Sequence, residues 1–257
     1  MPRLAFTVTP VRSSHTIRQF RELLAKKMFQ GIEIFYPYML DEEGQYQYIE
    51  DIKYITKGLD IEIVLHLPHG KDNDLVMTKN SMLKFFNAID FGYIFGVKKY
   101  TLHLGTKGRS DYLEKTIRNL NKLCDYAAHY DACIMIENMP SENEVGASLE
   151  ELEYLFKNVD KKNLKFIYDT GHGHVFLKDT LKEKEMLEKL KPYLSHIHVS
   201  DNDSTRDAHA KIGEGNIEFS EIFSSISDYM GLYCLEILFN DYLDLKEYRE
   251  DLLKYFK

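Results

Sequence analysis

Eight short β-rich runs recur along the chain with room between them for one helix and two loops, and this period constrains the fold more than any other feature. The runs are Leu4–Val8, Gly31–Phe35, Ile61–His66, Val97–His103, Ala132–Glu137, Leu164–Asp169, Leu194–Val199 and Leu232–Leu238. With Phe35, His66, His103, Glu137, Asp169, His198 and Glu236 taken as strand ends, successive ends lie 29 to 38 residues apart. Between them run amphipathic segments. Ser148 with Glu151 and Asp111 with Glu114 have the spacing of capping boxes, and the last helix is expected over about 244–255. Alternation of this kind builds a parallel sheet covered by helices. Eight such units use up the 257 residues, so the expected fold is α/β, a single (β/α)8 TIM barrel with one domain over residues 1–257. A doubly wound open sheet would carry a Gly-rich first turn, and neither that fingerprint nor a phosphate-binding P-loop occurs in the sequence.

Composition limits the classes of function. At 44% apolar and 29% charged residues the chain can bury a core, and its formal charge of −8 gives no overall basic footprint for a phosphate backbone. No run approaches the roughly 20 apolar residues that span a bilayer, and the Leu4–Val8 run is too short for a signal peptide. A cytoplasmic protein without a membrane partner is the expectation. Cys124, Cys133 and Cys234 form no C-x-x-C pair and read as buried thiols.

The chemistry lies at the strand ends. The third to eighth runs each carry, at their end or within two residues of it, a residue able to ligate a metal: His66, His103, Glu137, Asp169, His198 and Glu236. In a barrel the carboxyl ends of all strands meet at one mouth, so side chains 30 or more residues apart converge. Strand alternation puts Cys133 and Met135 on the face of Glu137, and Leu232 and Cys234 on that of Glu236. His172 follows Asp169 through a glycine that reads as a turn, and Asp207 and His209 follow the seventh run, ahead of Gly213-Glu214-Gly215, which reads as a further turn. Of ten histidines, eight (66, 69, 103, 172, 174, 196, 198 and 209) lie at or just after strand ends, so chance placement is a poor explanation. A single strand-end histidine is more often a structural hydrogen-bonding group than a ligand. Several carboxylates and imidazoles together are different, because their repulsion and desolvation call for a cation. Glu137, Asp169, His198 and Glu236 are therefore read as metal ligands, with His66, His103, His172, Asp207 and His209 as further candidates. His69, His174 and His196 read as supporting or substrate-facing groups. Glu33 and Glu62 read as partners of Lys99 or Lys165 near the barrel floor.

Taken in order, His66-Leu67-Pro68, His103-Leu104-Gly105, Glu137-Asn138, Asp169-Thr170-Gly171-His172, His196-Ile197-His198-Val199-Ser200-Asp201, Asp207-Ala208-His209, Ile212-Gly213-Glu214-Gly215 and Glu236 resemble the xylose-isomerase-like barrels. That superfamily includes endonuclease IV and the ketose 3-epimerases, also described as sugar phosphate isomerases/epimerases and AP endonuclease family 2. The resemblance covers nearly the whole chain. It implies, for the epimerase branch, one divalent ion on Glu137, Asp169, His198 and Glu236. Glu137 and Glu236 would also be the catalytic proton carriers, through an enediolate that the ion stabilises, and His172 and His66 substrate contacts. The ion would be Mn, Mg, Co or, with more histidines, Zn. For endonuclease IV the resemblance implies three zinc ions on nine positions, matched here by His66, His103, Glu137, Asp169, His172, His198, Asp207, His209 and Glu236, so one to three ions are expected.

Two segments depart from the DNA-repair pattern. The stretch after His66 lacks the tyrosine that the repair enzymes carry there, and residues 36–48 hold tyrosines, a proline and acids without a single lysine or arginine. Such a loop suits a stacked sugar or contacts between copies in a homo-oligomer. The reading from sequence therefore places a metal-dependent isomerase or epimerase of a small-molecule carbohydrate first. An endonuclease IV-like phosphodiesterase with nucleic acid as partner comes second, and a metal-binding barrel without catalysis third.

Overall fold

The computed structural model of the chain describes residues 1–10, 13–70, 73–76, 81–237 and 242–256. Eight parallel strands close into a barrel: β1 (Arg3–Val8), β2 (Gly31–Phe35), β3 (Glu62–His66), β4 (Lys99–Leu102), β5 (Cys133–Glu137), β6 (Leu164–Asp169), β7 (Leu194–Val199) and β8 (Leu232–Leu235). Each pairs with its neighbour in sequence, and β8 returns to β1 through Ala5 opposite Cys234. The expected (β/α)8 TIM barrel is present. Four runs are shorter than expected, β3 and β5 by one residue at their start. β4 stops before His103, and Glu236 lies just past β8, although its N–H still donates to Val199 O and so continues the ladder. The expected end of the eighth strand at Leu238 lies outside the described residues.

The helices among the described residues are α1 (Ser14–Ala25), α2 (Glu42–Thr56), α3 (Ser81–Ile94), α4 (Tyr112–Ala128), α5 (Leu149–Asn158), α6 (Thr170–Leu177), α7 (Thr180–Leu190), α8 (Phe219–Ser224) and α9 (Tyr242–Leu253). None is long and apolar enough to cross a membrane. Local chemistry starts many of them: the side chains of Ser13, Asp41, Ser148, Asp169 and Asp179 accept from first-turn N–H groups that would otherwise lack a partner. Ser148 caps as expected, accepting from Glu151 N, but the Glu151 carboxylate accepts from Gly146 N and Tyr112 OH instead of completing the capping box. Asp111 does not: its carboxylate pairs with Arg109 at 2.7 Å, a nearer cation that outcompetes the helix N–H groups. Asp41 caps α2, and Glu42 and Glu43 occupy its first turn, so the acids of the 36–48 segment serve a helix N-terminus.

Strand alternation divides the apolar residues into two cores. Outward-facing side chains such as Phe6, Ile34, Leu102, Ile136 and Phe166 pack with Phe20, Ile89, Leu120 and Leu155 from the helices. Fully burying side chains of this size contributes roughly 1.5–3 kcal/mol each, so this layer is the main stabiliser of the barrel. The second core is small: Ala5, Val64, Met135, Ile167, Leu232 and Cys234 fill the barrel itself, with Cys133 packed against them, as strand parity predicts beneath Glu137 and Glu236. Gly31 is required here, since a Cβ would sit 2.7 Å from Glu62 O and from a Leu232 methyl. Below it, Lys99 pairs with Glu62 at 2.7 Å and donates to Ser195 O, closing the floor. Cys124 and Cys234 are buried free thiols, and Cys133 is half-buried. Above the apolar plug the interior turns polar.

Candidate metal centre

The nine residues singled out in the sequence come together at the carboxyl ends of the strands, in three groups. Donor atoms within 4.8 Å of one another are contributed by Glu137, Asp169, His198 and Glu236; by His66, His103 and Glu137; and by His172, Asp207 and His209. Glu137, at the end of β5, belongs to two of them. Its Oε1 lies 3.1 Å from His198 Nδ1 and its Oε2 3.0 Å from His103 Nε2.

Backbone contacts aim these side chains. Asn138 clamps the end of β6, its side chain accepting from Asp169 N at 2.7 Å and donating to Asp169 O at 2.9 Å. Asp169 then caps α6, with Oδ1 accepting from His172 N at 2.6 Å, which leaves Oδ2 toward the groups. The expected glycine turn before His172 is instead the first turn of this helix. Gly171 is needed for close packing, because a Cβ there would lie 2.6 Å from Ser200 Oγ. The histidines are oriented by acceptors on one nitrogen: His172 Nδ1 donates to Asn138 O at 3.0 Å, His66 Nδ1 to Leu67 O at 2.9 Å and His209 Nδ1 to Glu236 O at 2.7 Å. A carbonyl only accepts, so Nδ1 carries the proton and Nε2 faces the group. Asp207 and His209 ride on a loop held by buried Asp201, whose carboxylate accepts from the N–H groups of Asn202, Gly213 and Ile217. Gly213, at φ 92°, makes the expected turn.

His198 is oriented the other way: Nδ1 faces Glu137 and Glu236, and Nε2 donates to Glu33 at 2.7 Å. The expected pairing of Glu33 with a floor lysine does not occur. Glu33 stands one layer above the floor, where His196, His198 and Thr101 donate to it, while Glu62 does pair with Lys99. The H-x-H spacing of His196 and His198 was the available signal. Two inward imidazoles on one strand call for an acceptor between them on the opposite side of the barrel.

Electrostatically these groups ask for positive charge. Burial alone would push the Glu137 carboxyl up, but His198 and His103 outweigh it and hold it well below the usual range. Burial, with Glu137 and Glu236 nearby, pushes Asp169 up to about 6. Burial disfavours charge on the imidazoles too. Even so, Asp169 and Asp207 raise His172 well above its ordinary value, Glu236, Glu33 and Glu137 do the same for His198, and Asp207 with Glu236 brings His209 to about 10. Each group also keeps a buried carboxylate oxygen without a hydrogen-bond partner among the described residues: Glu137 Oε2, Asp169 Oδ2 and Asp207 Oδ1. Such orphans are costly unless a ligand takes them. Mixed imidazole and carboxylate donors, with the outer nitrogens of His66, His172, His198 and His209 anchored, fit a divalent ion such as Zn²⁺, Mn²⁺ or Co²⁺.

The remaining histidines separate. His69 stacks edge-on to His66 at 4.8 Å between ring centroids, and burial and the neighbouring His66 and His103 lower it to about 3, so it faces the mouth as a neutral ring. Lys71 and Asp72, beyond it in the same loop, lie outside the described residues. His174 is away from the groups, bonded to Glu183 and Asn216. Glu144 escaped the sequence reading because it lies in a loop after β5 with no strand-end signal. Its segment bridges Thr106, and burial raises its carboxyl although His103 and His172 act against the rise.

The xylose isomerase-like TIM barrel family model matches residues 22–257. An uncharacterized protein of Methanocaldococcus jannaschii is 29% identical over 234 residues, covering 84% of this chain and 77% of its own length. A probable endonuclease 4 of Mycoplasmopsis pulmonis is 27% identical over 210 residues, 73% of this chain and 72% of its own. Among solved structures, a D-tagatose 3-epimerase-like protein superposes with a TM-score of 0.75 at 25% identity, over 97% of this chain and 96% of the other. With its closed parallel barrel and a match over nearly its full length, the chain belongs to the xylose isomerase-like TIM barrel family.

Proposed function

We propose that the chain is a phosphoester hydrolase that works with three divalent ions. The observation that carries this reading is the partition of nine donors into three groups, two of which share Glu137. A one-ion epimerase would use only the group of Glu137, Asp169, His198 and Glu236 and would leave five donors without a purpose. The similarity to a probable endonuclease 4 over almost three quarters of both chains supports the same choice. When bound, ions in this arrangement supply Lewis acidity that acidifies water and offsets charge at a phosphoryl group.

The chain's own residues divide the remaining work. Glu137, Asp169, His198 and Glu236 hold one ion, His66 and His103 with Glu137 a second, and His172, Asp207 and His209 a third. Asn138 fixes Asp169 and His172 together. Leu67 and Leu104, both fully buried beside His66 and His103, keep water from behind the group. His69, neutral and at the mouth, is placed to meet the substrate. The test is turnover by zinc-loaded protein on abasic duplex DNA and on small phosphate mono- and diesters. Chelator-sensitive release of phosphate or strand nicking is expected, and its absence on every phosphoester would overturn the reading.

A second reading, the metal-dependent sugar epimerase, is favoured by one observation. Glu137 and Glu236 both approach His198 Nδ1, at 3.1 and 2.7 Å, which sets two carboxylates around a single ion position. In that case they would remove and return a proton beside a carbonyl. Deuterium uptake from solvent into a ketose, with no phosphoester cleavage, would select it.

A further inference from the structure

Glu33 is fully buried in the barrel, on β2, and is the acceptor for three side chains from three other positions in the sheet. Its Oε2 accepts from His196 Nε2 at 3.0 Å and His198 Nε2 at 2.7 Å, and its Oε1 from Thr101 Oγ1 at 2.8 Å. Glu33, His196 and His198 form a fourth cluster of donor atoms with Cys234. It is not a fourth ion site. Both oxygens of Glu33 already accept hydrogen bonds, whereas each of the three groups above keeps a carboxylate oxygen without a partner. The carboxylate instead acts on the layer above it through the one ring shared by both clusters, that of His198.

We propose that Glu33 is the positioning residue for His198: it holds the ring in place, keeps the proton on Nε2 and so leaves Nδ1 to face Glu137, Asp169 and Glu236 as a ligand. His196 and Thr101 complete the clamp. His196 stands nearly perpendicular to His198, at 82°, and shares the same carboxylate oxygen, so Glu33 cannot rotate away without losing both bonds. Thr101 fixes the other oxygen. A carboxylate behind a ligating histidine typically improves metal affinity by 10- to 100-fold. The inference rests on the metal-centre reading given above and adds a residue that none of the three ligand groups contains.

The test compares wild-type protein with Glu33→Gln and Thr101→Val, each loaded with Co²⁺ or Zn²⁺ and dialysed. Metal content, affinity by competition with a chelator, and the Co²⁺ visible spectrum are measured beside the melting temperature. In Glu33→Gln the amide also donates and clashes with one imidazole N–H. One ion should bind about 10- to 100-fold more weakly with an altered Co²⁺ spectrum, while the ion of His172, Asp207 and His209 is retained. Thr101→Val should weaken the same ion by about 2- to 10-fold, the effect of one lost hydrogen bond. Wild-type affinity and spectrum in Glu33→Gln would overturn the positioning role and leave the metal centre standing. If Glu33→Gln does not fold, unchanged affinity in Thr101→Val overturns it. A wild-type protein that binds no ion would overturn the metal centre itself.

Discussion

Zinc binding should release about three protons per chain at pH 8, a number that follows from the arrangement of the imidazoles. His172, His198 and His209 each have one nitrogen committed to a fixed acceptor and the other turned to carboxylates. Without an ion, the facing nitrogen carries a proton. For His209, whose value is about 10, the ring is about 99% protonated at pH 8. The geometry puts a proton on the other two as well, with His198 Nδ1 2.7 Å from Glu236 and His172 Nε2 3.3 Å from Asp207, and their own carboxylate neighbours raise both above the ordinary imidazole value. Asp169, at about 6, is already ionised and contributes little. A ligand nitrogen must lose its proton, so each of the three rings gives one up. For His209 the displacement costs about 3 kcal/mol at pH 8, from two pH units at 1.36 kcal/mol each, or roughly 100-fold in apparent affinity. Affinity should therefore rise with pH up to about 10. The assay is titration calorimetry in buffers of different ionisation enthalpy, where the slope of observed heat against buffer enthalpy counts protons. A slope near zero would mean that the ions sit on exposed carboxylates and that these histidines are not ligands.

Four other outcomes follow from the structure. Glu137→Gln should keep the barrel by far-UV circular dichroism but lose the ions of both groups that share it, and turnover should fall by about 10³-fold or more; a fully active variant would refute its assignment. Asp201→Ala strips three N–H groups of their acceptor, so the melting temperature should drop by the equivalent of about 3 kcal/mol or more, and the ion of Asp207 and His209 should be lost with it. Gly171→Ala should cost about 1–3 kcal/mol in denaturant unfolding, because its methyl meets Ser200 Oγ at 2.6 Å. In the metal-free protein, Asp169 and His209 both bind protons more tightly folded than unfolded. The stability each contributes is complete below its unfolded value. For Asp169 it disappears between about 3.8 and 6, and for His209 between about 6.5 and 10, so unfolding midpoints should fall across these windows, whereas an unchanged midpoint from pH 7 to 10 would contradict the His209 environment.

The barrel and the convergence of its candidate donors were legible because both follow from a period. Strand ends recur at nearly constant spacing, and a closed parallel sheet delivers every end to the same mouth, so Glu137 and Glu236 could be placed together across 99 residues of sequence. What parity cannot supply is height. Glu33 and Glu62 both point inward, yet Glu62 reaches the floor lysine while Glu33, paired in register with Val64, stands a layer higher under His198. Competition was also invisible: Asp111 has the capping spacing, but Arg109 takes its carboxylate. Gly171 read as a turn because glycine permits one, whereas contact with Ser200 is what demands it. The partition of the nine donors depends on the loop that brings Asp207 and His209 to His172, and that loop is shaped by Asp201, a residue with no ligand role.

Crystals of the zinc-loaded protein, examined by anomalous diffraction on either side of the zinc absorption edge, give the most direct measurement. Three peaks are predicted at the mouth of the barrel, one in each donor group, with Glu137 touching two of them. A lone peak among Glu137, Asp169, His198 and Glu236, or zinc elsewhere on the surface, would contradict a three-ion centre.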